Sequence, residues 1–276
     1  MTMSETERGT TMQSKATSEE LIWEVKGPVG IITFNRPAAH NALTFTMYDR
    51  LGETCATAPA KDNLRAIIIT GAGGRAFGAG TDISLFRDFK PGPADGVAYE
   101  ARMERMFEKV ESCTVPTIAA IPGICTGGAA AIAAACDLRL ATRNLKFGFP
   151  IARTLANMLS ANNIARVAML TGVGRAVDMV MSTRLMGADE ALAVGLVNEL
   201  LDTPEALMAR AHALAEQIAT QAPLTMRATK EIVRRLRTRF AGIEDRDLIE
   251  LCYGSADFRE GLDAFLTKRT PKFAGR

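Results

Sequence analysis

The sequence predicts an α/β protein in which ββα-type units stack around a core and a largely helical region follows. The apolar runs at 64–70 and 117–121 each lead into a glycine-rich turn, which is typical of strands buried on both faces. Segments whose apolar residues recur at helical spacing separate these runs, as in repeated strand, helix and parallel strand units. Beyond Pro150 the remaining periodic segments are nearly all helical.

The first elements are predicted to be a hairpin followed by a helix. Apolar and polar residues alternate over 21–25, Gly27 and Pro28 supply a turn, and 29–34 is a second run rich in β-branched residues. From Leu43 to about Ala58 the apolar positions recur at helical spacing, so a helix follows the hairpin.

The middle of the chain repeats strand, glycine-rich turn and helix. Residues 90–98 contain two prolines and two glycines and are predicted to form a mobile surface loop that could shape the mouth of a pocket. The predicted elements are a strand at 64–70, small-residue turns at 71–74 and 77–83, a helix at 97–113, a strand at 117–121, a Gly-Gly turn at 127–128, a helix at 129–135 and a strand at 137–142.

The later part of the chain is predicted to be helical and to end in a basic tail. We divide the chain into a disordered leader (1–18), a ββα core carrying the ligand site (19–203) and a C-terminal helical region (204–276). The predicted helical segments are 163–170, 175–182, 188–196, 204–219, 224–241 and 255–267, and the tail is 268–273.

Composition narrows the class of protein. The 276 residues are 47% apolar and 23% charged, as in a globular protein with a sizeable core. The net charge of +2 argues against a nucleic-acid or membrane surface and favours a small-molecule partner. The five cysteines form no CxxC pair and no spacing with histidine that suits a metal, so they are expected to be buried thiols. The leader lacks the apolar segment of a signal peptide, and we predict a cytoplasmic protein without a membrane span.

The stretch from Ile118 to Gly128 is the expected centre of function. A short apolar run meets a glycine-rich turn and then a segment of small residues with helical character. This pattern brings the unpaired N–H groups at the start of a helix against a ligand that carries negative charge.

Several motifs together resemble the crotonase superfamily, the enoyl-CoA hydratase/isomerase family. The resemblance covers almost the whole chain after the leader, and a series of ordered motifs is far more specific than one glycine-rich turn. The matching stretches are ITFNRPAAHNALT at 32–44, AFGAGTDI at 76–83, IPGICTGGAAAIAAACDLRLAT at 121–142, GADEALAVGLVNEL at 187–200 and AFLTKRTPKF at 264–273.

This resemblance implies a spiral of stacked ββα units with a C-terminal helical region that forms a homotrimer or a dimer of trimers. It also implies an acyl-CoA thioester as ligand, with coenzyme A as part of the substrate and no separate cofactor or metal. The thioester oxygen would accept the backbone N–H groups of Thr81 and Gly128, which form an oxyanion hole. The further substrate-binding positions predicted within the matching motifs are Ala79, Asp82, Ile83, Gly127, Phe265 and Lys268.

The chain departs from the family at the two positions where its hydratases carry catalytic glutamates. These positions match Ala131 and Ile151 here, and neither side chain can move a proton. Asp137 is the sole acidic residue between Glu111 and Asp178, so a shifted alignment recovers no glutamate. Adding water to an enoyl thioester normally needs acid and base groups that each contribute roughly 10²–10⁴-fold.

Nearby polar residues are candidates to replace the missing groups. Arg153 could bind an acyl carboxylate, and Asn157 could orient a water molecule or a carboxylate. Residues of these types at such positions are more often helix-surface or capping residues. Glu104 and Glu108, on the predicted helix at 97–113, are further candidates, although charged residues there commonly form a solvated face.

Three functions remain open from the sequence. The first is an enoyl-CoA hydratase or isomerase with altered acid and base groups. The second is an acyl-CoA decarboxylase, in which loss of carbon dioxide generates the enolate and no strong base is needed. The third is an acyl-CoA binder that keeps the pocket without the chemistry.

Overall fold

The computed structural model describes residues 19–90, 92–238 and 243–276. The predicted leader at 1–18 and the end of the helix predicted at 224–241 lie outside these residues.

Within these ranges the strands form two sheets. A six-stranded sheet has the order β1-β2-β3-β5-β7-β10, and a four-stranded sheet has the order β4-β6-β8-β9. The strands are β1 (Leu21–Lys26), β2 (Val29–Phe34), β3 (Ala66–Gly71), β4 (Ala76–Gly78), β5 (Thr117–Ile121), β6 (Ile124–Thr126), β7 (Leu138–Thr142), β8 (Lys146–Gly148), β9 (Met186–Gly187) and β10 (Glu199–Leu201).

Helices connect the strands and then dominate the later chain. Short 3₁₀ turns at Pro37–Ala39 and Ile83–Phe86 supplement them. The α-helices are α1 (Phe45–Lys61), α2 (Ala94–Glu111), α3 (Gly128–Ala135), α4 (Ile151–Thr154), α5 (Ala161–Thr171), α6 (Val173–Met181), α7 (Ala188–Ala193), α8 (Pro204–Ala219), α9 (Pro223–Thr238), α10 (Arg246–Tyr253) and α11 (Ala256–Leu266).

The six-stranded sheet is covered on both faces, which explains its continuous apolar strands. β1 and β2 pair antiparallel, and the other neighbours in this sheet pair parallel. Ile67 and Ile69 of β3 face the main core with α1 and α3, whereas Ile68 faces a second core formed with Leu207 of α8. Since successive side chains point to opposite faces, apolar residues occupy most positions along such a strand.

β3, β5 and β7 of the main sheet each lead into a short strand of the second sheet and then a helix. β3, β4 and α2 form one such unit, and β5, β6 and α3 form the next. β4, β6 and β8 pair parallel to one another. The predicted α/β architecture of stacked units is therefore confirmed.

Several elements differ from the prediction. β4, β6 and β8 have three residues each, too few to give a recognisable periodicity, and β4 and β6 lie in or beside stretches predicted as turns. α2 begins at Ala94, so the loop predicted at 90–98 is shorter than expected. α10 was not predicted.

The last two helices fold back onto the core units. Tyr253 of α10 and Phe258 of α11 pack in a third cluster with Phe86 and Leu155. α10 also packs against α2, and α11 against α4. None of the helices in the described ranges is long and apolar enough to cross a membrane. The described residues also contain no group of three or more His, Cys, Asp or Glu side chains placed to hold a metal ion.

Candidate active site

A cavity of about 470 Å³ lies where the chain leaves the short strands of the second sheet. Residues that follow β4, β6 and β8 line it, as expected for ligand sites at the carboxyl ends of parallel strands. The predicted site residues among its lining are Ala79, Thr81, Asp82, Ile83, Gly127, Gly128, Ala131, Ile151, Asn157 and Phe265.

A larger cavity of about 590 Å³ lies between α9 and the core, and none of the predicted site residues lines it. Charged side chains at its wall are already paired, such as Lys230 with Asp137. Asp137 also accepts hydrogen bonds from the backbone N–H of Thr117, at 2.7 Å, and from its hydroxyl, at 2.8 Å. Asp137 thus holds the beginning of β5 in place. Because most of the predicted site residues line the smaller cavity, we place the candidate active site there.

The orientation of the Thr81 backbone N–H is set by an isolated parallel β-bridge between Thr81 and Leu43. The Leu43 N–H donates to the Gly80 carbonyl at 2.8 Å, and the Asp82 N–H donates to the Leu43 carbonyl at 2.9 Å. Because a parallel bridge uses the groups on either side of the central residue, the Thr81 N–H points away from Leu43.

The second backbone N–H belongs to Gly128, the first residue of α3. At that position it has no acceptor within its own helix, and the helix dipole adds partial positive charge. Gly127, just before it, has φ 56° and ψ −130°, a conformation that in practice requires glycine. A Cβ atom at Gly128 would lie 2.0 Å from the Tyr48 hydroxyl, so only glycine fits there without displacing its surroundings.

The backbone segments that carry Thr81 and Gly128 lie close together at the cavity. A Cβ atom built on Gly80 would be 3.6 Å from the Gly128 nitrogen, and one built on Gly128 would be 3.2 Å from Thr81 Oγ1. Thr81 Oγ1 is itself held between two phenol groups, at 2.9 Å from Tyr48 and 2.8 Å from Tyr99. Burial raises the pKa of both tyrosines, which keeps them neutral hydrogen-bonding partners.

Asp82 is engaged with its own loop. Its carboxylate accepts the Ser84 backbone N–H at 3.1 Å and pairs with Arg36 at 2.9 Å. Partial burial opposes ionisation, but the bonds from Ser84 and Arg36 outweigh it and lower the pKa of Asp82. This carboxylate therefore orders the turn beside Thr81.

Ala131 and Ile151 both face the cavity and are nearly buried, at 2% and 8% exposure. They make the cavity wall apolar at both positions.

The structure does not bring Arg153 and Lys268 into the cavity. Both are exposed and absent from its lining. Arg153 is two residues after Ile151 on α4, which places it on the opposite face of that helix. Both side chains therefore lie outside the cavity.

The two glutamates proposed from the sequence as replacements do not reach the cavity either. Glu104 forms an ion pair with the buried guanidinium of Arg166 at 2.6 Å, and Glu108 is exposed. Asn157 does line the cavity, and its amide nitrogen lies 3.3 Å from the Tyr253 hydroxyl.

Glu100 of α2 is a cavity residue that the sequence reasoning missed. It is 7% exposed, and the Tyr253 hydroxyl donates to its carboxylate at 2.6 Å. Burial raises its pKa to about 7, with added repulsion from Asp245 and Glu104, while the bond from Tyr253 opposes the rise. One signal was available in the sequence, because Glu100 precedes Met103 and Phe107 at helical spacing and so lies on the apolar face of α2.

Comparison with known proteins assigns the chain to a family. The model of the enoyl-CoA hydratase/isomerase family matches residues 24–276. The short-chain-enoyl-CoA hydratase of Clostridium acetobutylicum is 30% identical, over 90% of this chain and 95% of that protein. The (E)-benzylidenesuccinyl-CoA hydratase of Thauera aromatica is 32% identical, over 91% and 98%.

Solved structures that resemble this chain support the same family assignment. A methylmalonyl-CoA decarboxylase in complex with 2-nitronate-propionyl-CoA superposes with a TM-score of 0.84 at 25% identity, covering 94% of this chain and 99% of that one. An enoyl-CoA hydratase from Mycobacterium avium subsp. paratuberculosis has a TM-score of 0.80 at 25% identity, covering 93% and 99%. The chain belongs to the enoyl-CoA hydratase/isomerase family of the crotonase superfamily.

Proposed function

We propose that this crotonase-family protein binds an acyl-CoA thioester and stabilises its enolate through the backbone N–H groups of Thr81 and Gly128. The observation that carries the proposal is the approach of these two backbone segments at one cavity, where Gly128 leaves no room for a side chain. An enolate oxygen carries developing negative charge, and fixed donors directed at that oxygen stabilise such charge. Coenzyme A enters as part of the substrate, and the proposal needs no other cofactor.

The reaction class that we propose first is that of an enoyl-CoA hydratase or isomerase. Relatives named as hydratases support it, at 30% identity or more across most of the chain.

A second candidate is the decarboxylation of a malonyl-type thioester. Ala131 and Ile151 line the cavity as apolar residues, and this favours a reaction in which the departing carboxylate supplies the electron pair of the enolate. The similarity to a solved methylmalonyl-CoA decarboxylase supports this candidate.

We further propose a cytoplasmic protein that assembles as a homotrimer or a dimer of trimers. Exposed apolar side chains on α9, including Leu224, Ile232 and Val233, support a subunit interface in this region.

The test is to assay the purified protein with crotonyl-CoA for hydration and with methylmalonyl-CoA for decarboxylation. Gly128→Ala should lower whichever turnover is found by roughly 10²–10³-fold, because the new methyl group collides with Tyr48 and displaces the donor. The matched control is Gly174→Ala on α6, where a Cβ atom meets nothing within 4 Å. Unchanged turnover in Gly128→Ala would remove this N–H from the site.

A further inference from the structure

We propose that Glu100 is the proton-transfer group of this site, whose carboxylate removes a proton from the carbon next to the thioester carbonyl and whose acid form returns one. The proposal rests on the enolate chemistry proposed above, and it assigns the acid/base role that Ala131 and Ile151 leave open.

The other carboxylate at the cavity is already committed. Among the described lining residues the carboxyl groups are those of Asp82 and Glu100. Asp82 is bound by Arg36 and Ser84 and remains ionised, so it has little tendency to take up a proton. Glu100 has no such cationic partner among the described residues.

One hydrogen bond holds the Glu100 carboxylate, and its second oxygen has no partner among the described residues. The Tyr253 hydroxyl donates to Oε1 at 2.6 Å, and the described residues provide no partner for Oε2. Asn157 steadies Tyr253 through its amide nitrogen, at 3.3 Å. The Asn157 amide oxygen is buried and has no partner within the described part of the chain, so it can accept a hydrogen bond from a bound ligand.

α2, the helix that carries Glu100, is also hydrogen-bonded to Thr81, one of the two proposed N–H donors. Tyr99, next to Glu100 on α2, hydrogen-bonds Thr81 Oγ1 at 2.8 Å, and Thr81 supplies one of the two N–H donors. The position of α2 therefore depends on the turn that holds the thioester oxygen and on Tyr253 of α10. A proton-transfer group needs this fixed relation to the charge that it creates.

The proposed step balances without any further reactant. The carbon–hydrogen bond breaks, the proton passes to Glu100, and the electron pair becomes the enolate, whose oxygen accepts the N–H groups of Thr81 and Gly128. The neutral Glu100 then gives a proton back to the carbon, and the carboxylate is regenerated.

The electrostatic surroundings suit a group that changes protonation near neutrality. Burial is the main cause of the raised pKa of Glu100, which is about 7. The titratable groups that face it are Tyr48 of α1, Tyr99 and Glu104 of α2, Asp245 before α10 and Tyr253 of α10.

The experiment measures deuterium incorporation at the α-carbon of butyryl-CoA in deuterated water by mass spectrometry. Glu100→Gln keeps the shape and can still accept the bond from Tyr253, yet it cannot take up the proton. We expect exchange to fall by about 10²–10⁴-fold while the Kd for butyryl-CoA changes less than about threefold. The matched control is Glu108→Gln, on the exposed face of the same helix, which should exchange like the wild type.

The pH profile separates proton transfer from a structural role. Wild-type exchange should rise with pH to a plateau as Glu100 ionises, and Glu100→Gln should lack this rise. Tyr253→Phe removes the donor that favours the carboxylate, so the midpoint of the rise should move to higher pH.

Each outcome decides between the proposals. Wild-type exchange with an unimpaired Glu100→Gln variant overturns the role of Glu100 and leaves the enolate chemistry standing. No exchange by the wild type, despite butyryl-CoA binding, overturns the role of Glu100, and the methylmalonyl-CoA assay then decides whether the enolate chemistry stands. If circular dichroism shows that Glu100→Gln is unfolded, Tyr253→Phe decides, and an unmoved midpoint overturns the assignment.

Discussion

Replacing Glu100 by glutamine should remove a pH dependence of stability that arises from its burial. The pKa of this carboxyl is about 7 in the folded protein, against an ordinary value of 4.5. Between these two pH values the folded protein holds a proton that the unfolded chain has released, so stability falls as pH rises through this window. At roughly 1.4 kcal/mol for each pH unit, Glu100 should cost the wild type about 3 kcal/mol by pH 8.

Urea unfolding at a series of pH values, from about pH 4.5 to about pH 8, measures this cost. The only tryptophan of the chain, Trp23, packs against the main core and provides a fluorescence signal. The free energy of unfolding of Glu100→Gln, relative to the wild type, should increase by about 3 kcal/mol across that range. Glu108→Gln should follow the wild type at every pH, because Glu108 is exposed. A difference between Glu100→Gln and the wild type that stays constant within about 1 kcal/mol would refute the reasoning.

Two further substitutions test the framework around the site. Asn41→Ala removes the hydrogen bonds that the Asn41 side-chain amide donates to the carbonyls of Ala72 and Ala76, at 3.0 and 2.7 Å. The free energy of unfolding, measured in urea, should fall by about 3 kcal/mol, and a fall below about 1 kcal/mol would contradict this. Leu207→Ala empties a fully buried position between α8 and the six-stranded sheet and should also cost about 3 kcal/mol, measured in the same way. If the midpoint and slope of unfolding stayed at their wild-type values, the packing role of Leu207 would be wrong.

The glycine-rich turn shows how far local sequence reasoning reaches. Gly127 adopts a backbone conformation that other residues avoid, and Gly128 excludes any side chain beside Tyr48. The requirement at Gly127 is local to one residue and leaves a visible mark in the sequence, whereas the requirement at Gly128 depends on Tyr48 of α1, far earlier in the chain. Ala131 and Ile151 resemble Gly127 in this respect, because their apolar character is a property of the residue type and is retained at the cavity wall.

Arg153 shows where such reasoning ends. Its distance along the chain from Ile151 suggested a role in the site, yet α4 turns the two residues to opposite faces. Glu104 and Glu108 looked like the available carboxyl groups of α2, but the side chain that enters the cavity is that of Glu100.

The sequence by itself determined the class of fold, the strands buried on both faces, the glycine-rich turn and the absence of glutamate at positions 131 and 151. These features depend on residue type and short-range periodicity, which remain the same in any environment. Only the tertiary structure decided that Glu100 is the buried carboxyl group of the cavity. Its burial and its hydrogen bond depend on Tyr253, 153 residues later in the chain, and on the packing of α10 against α2.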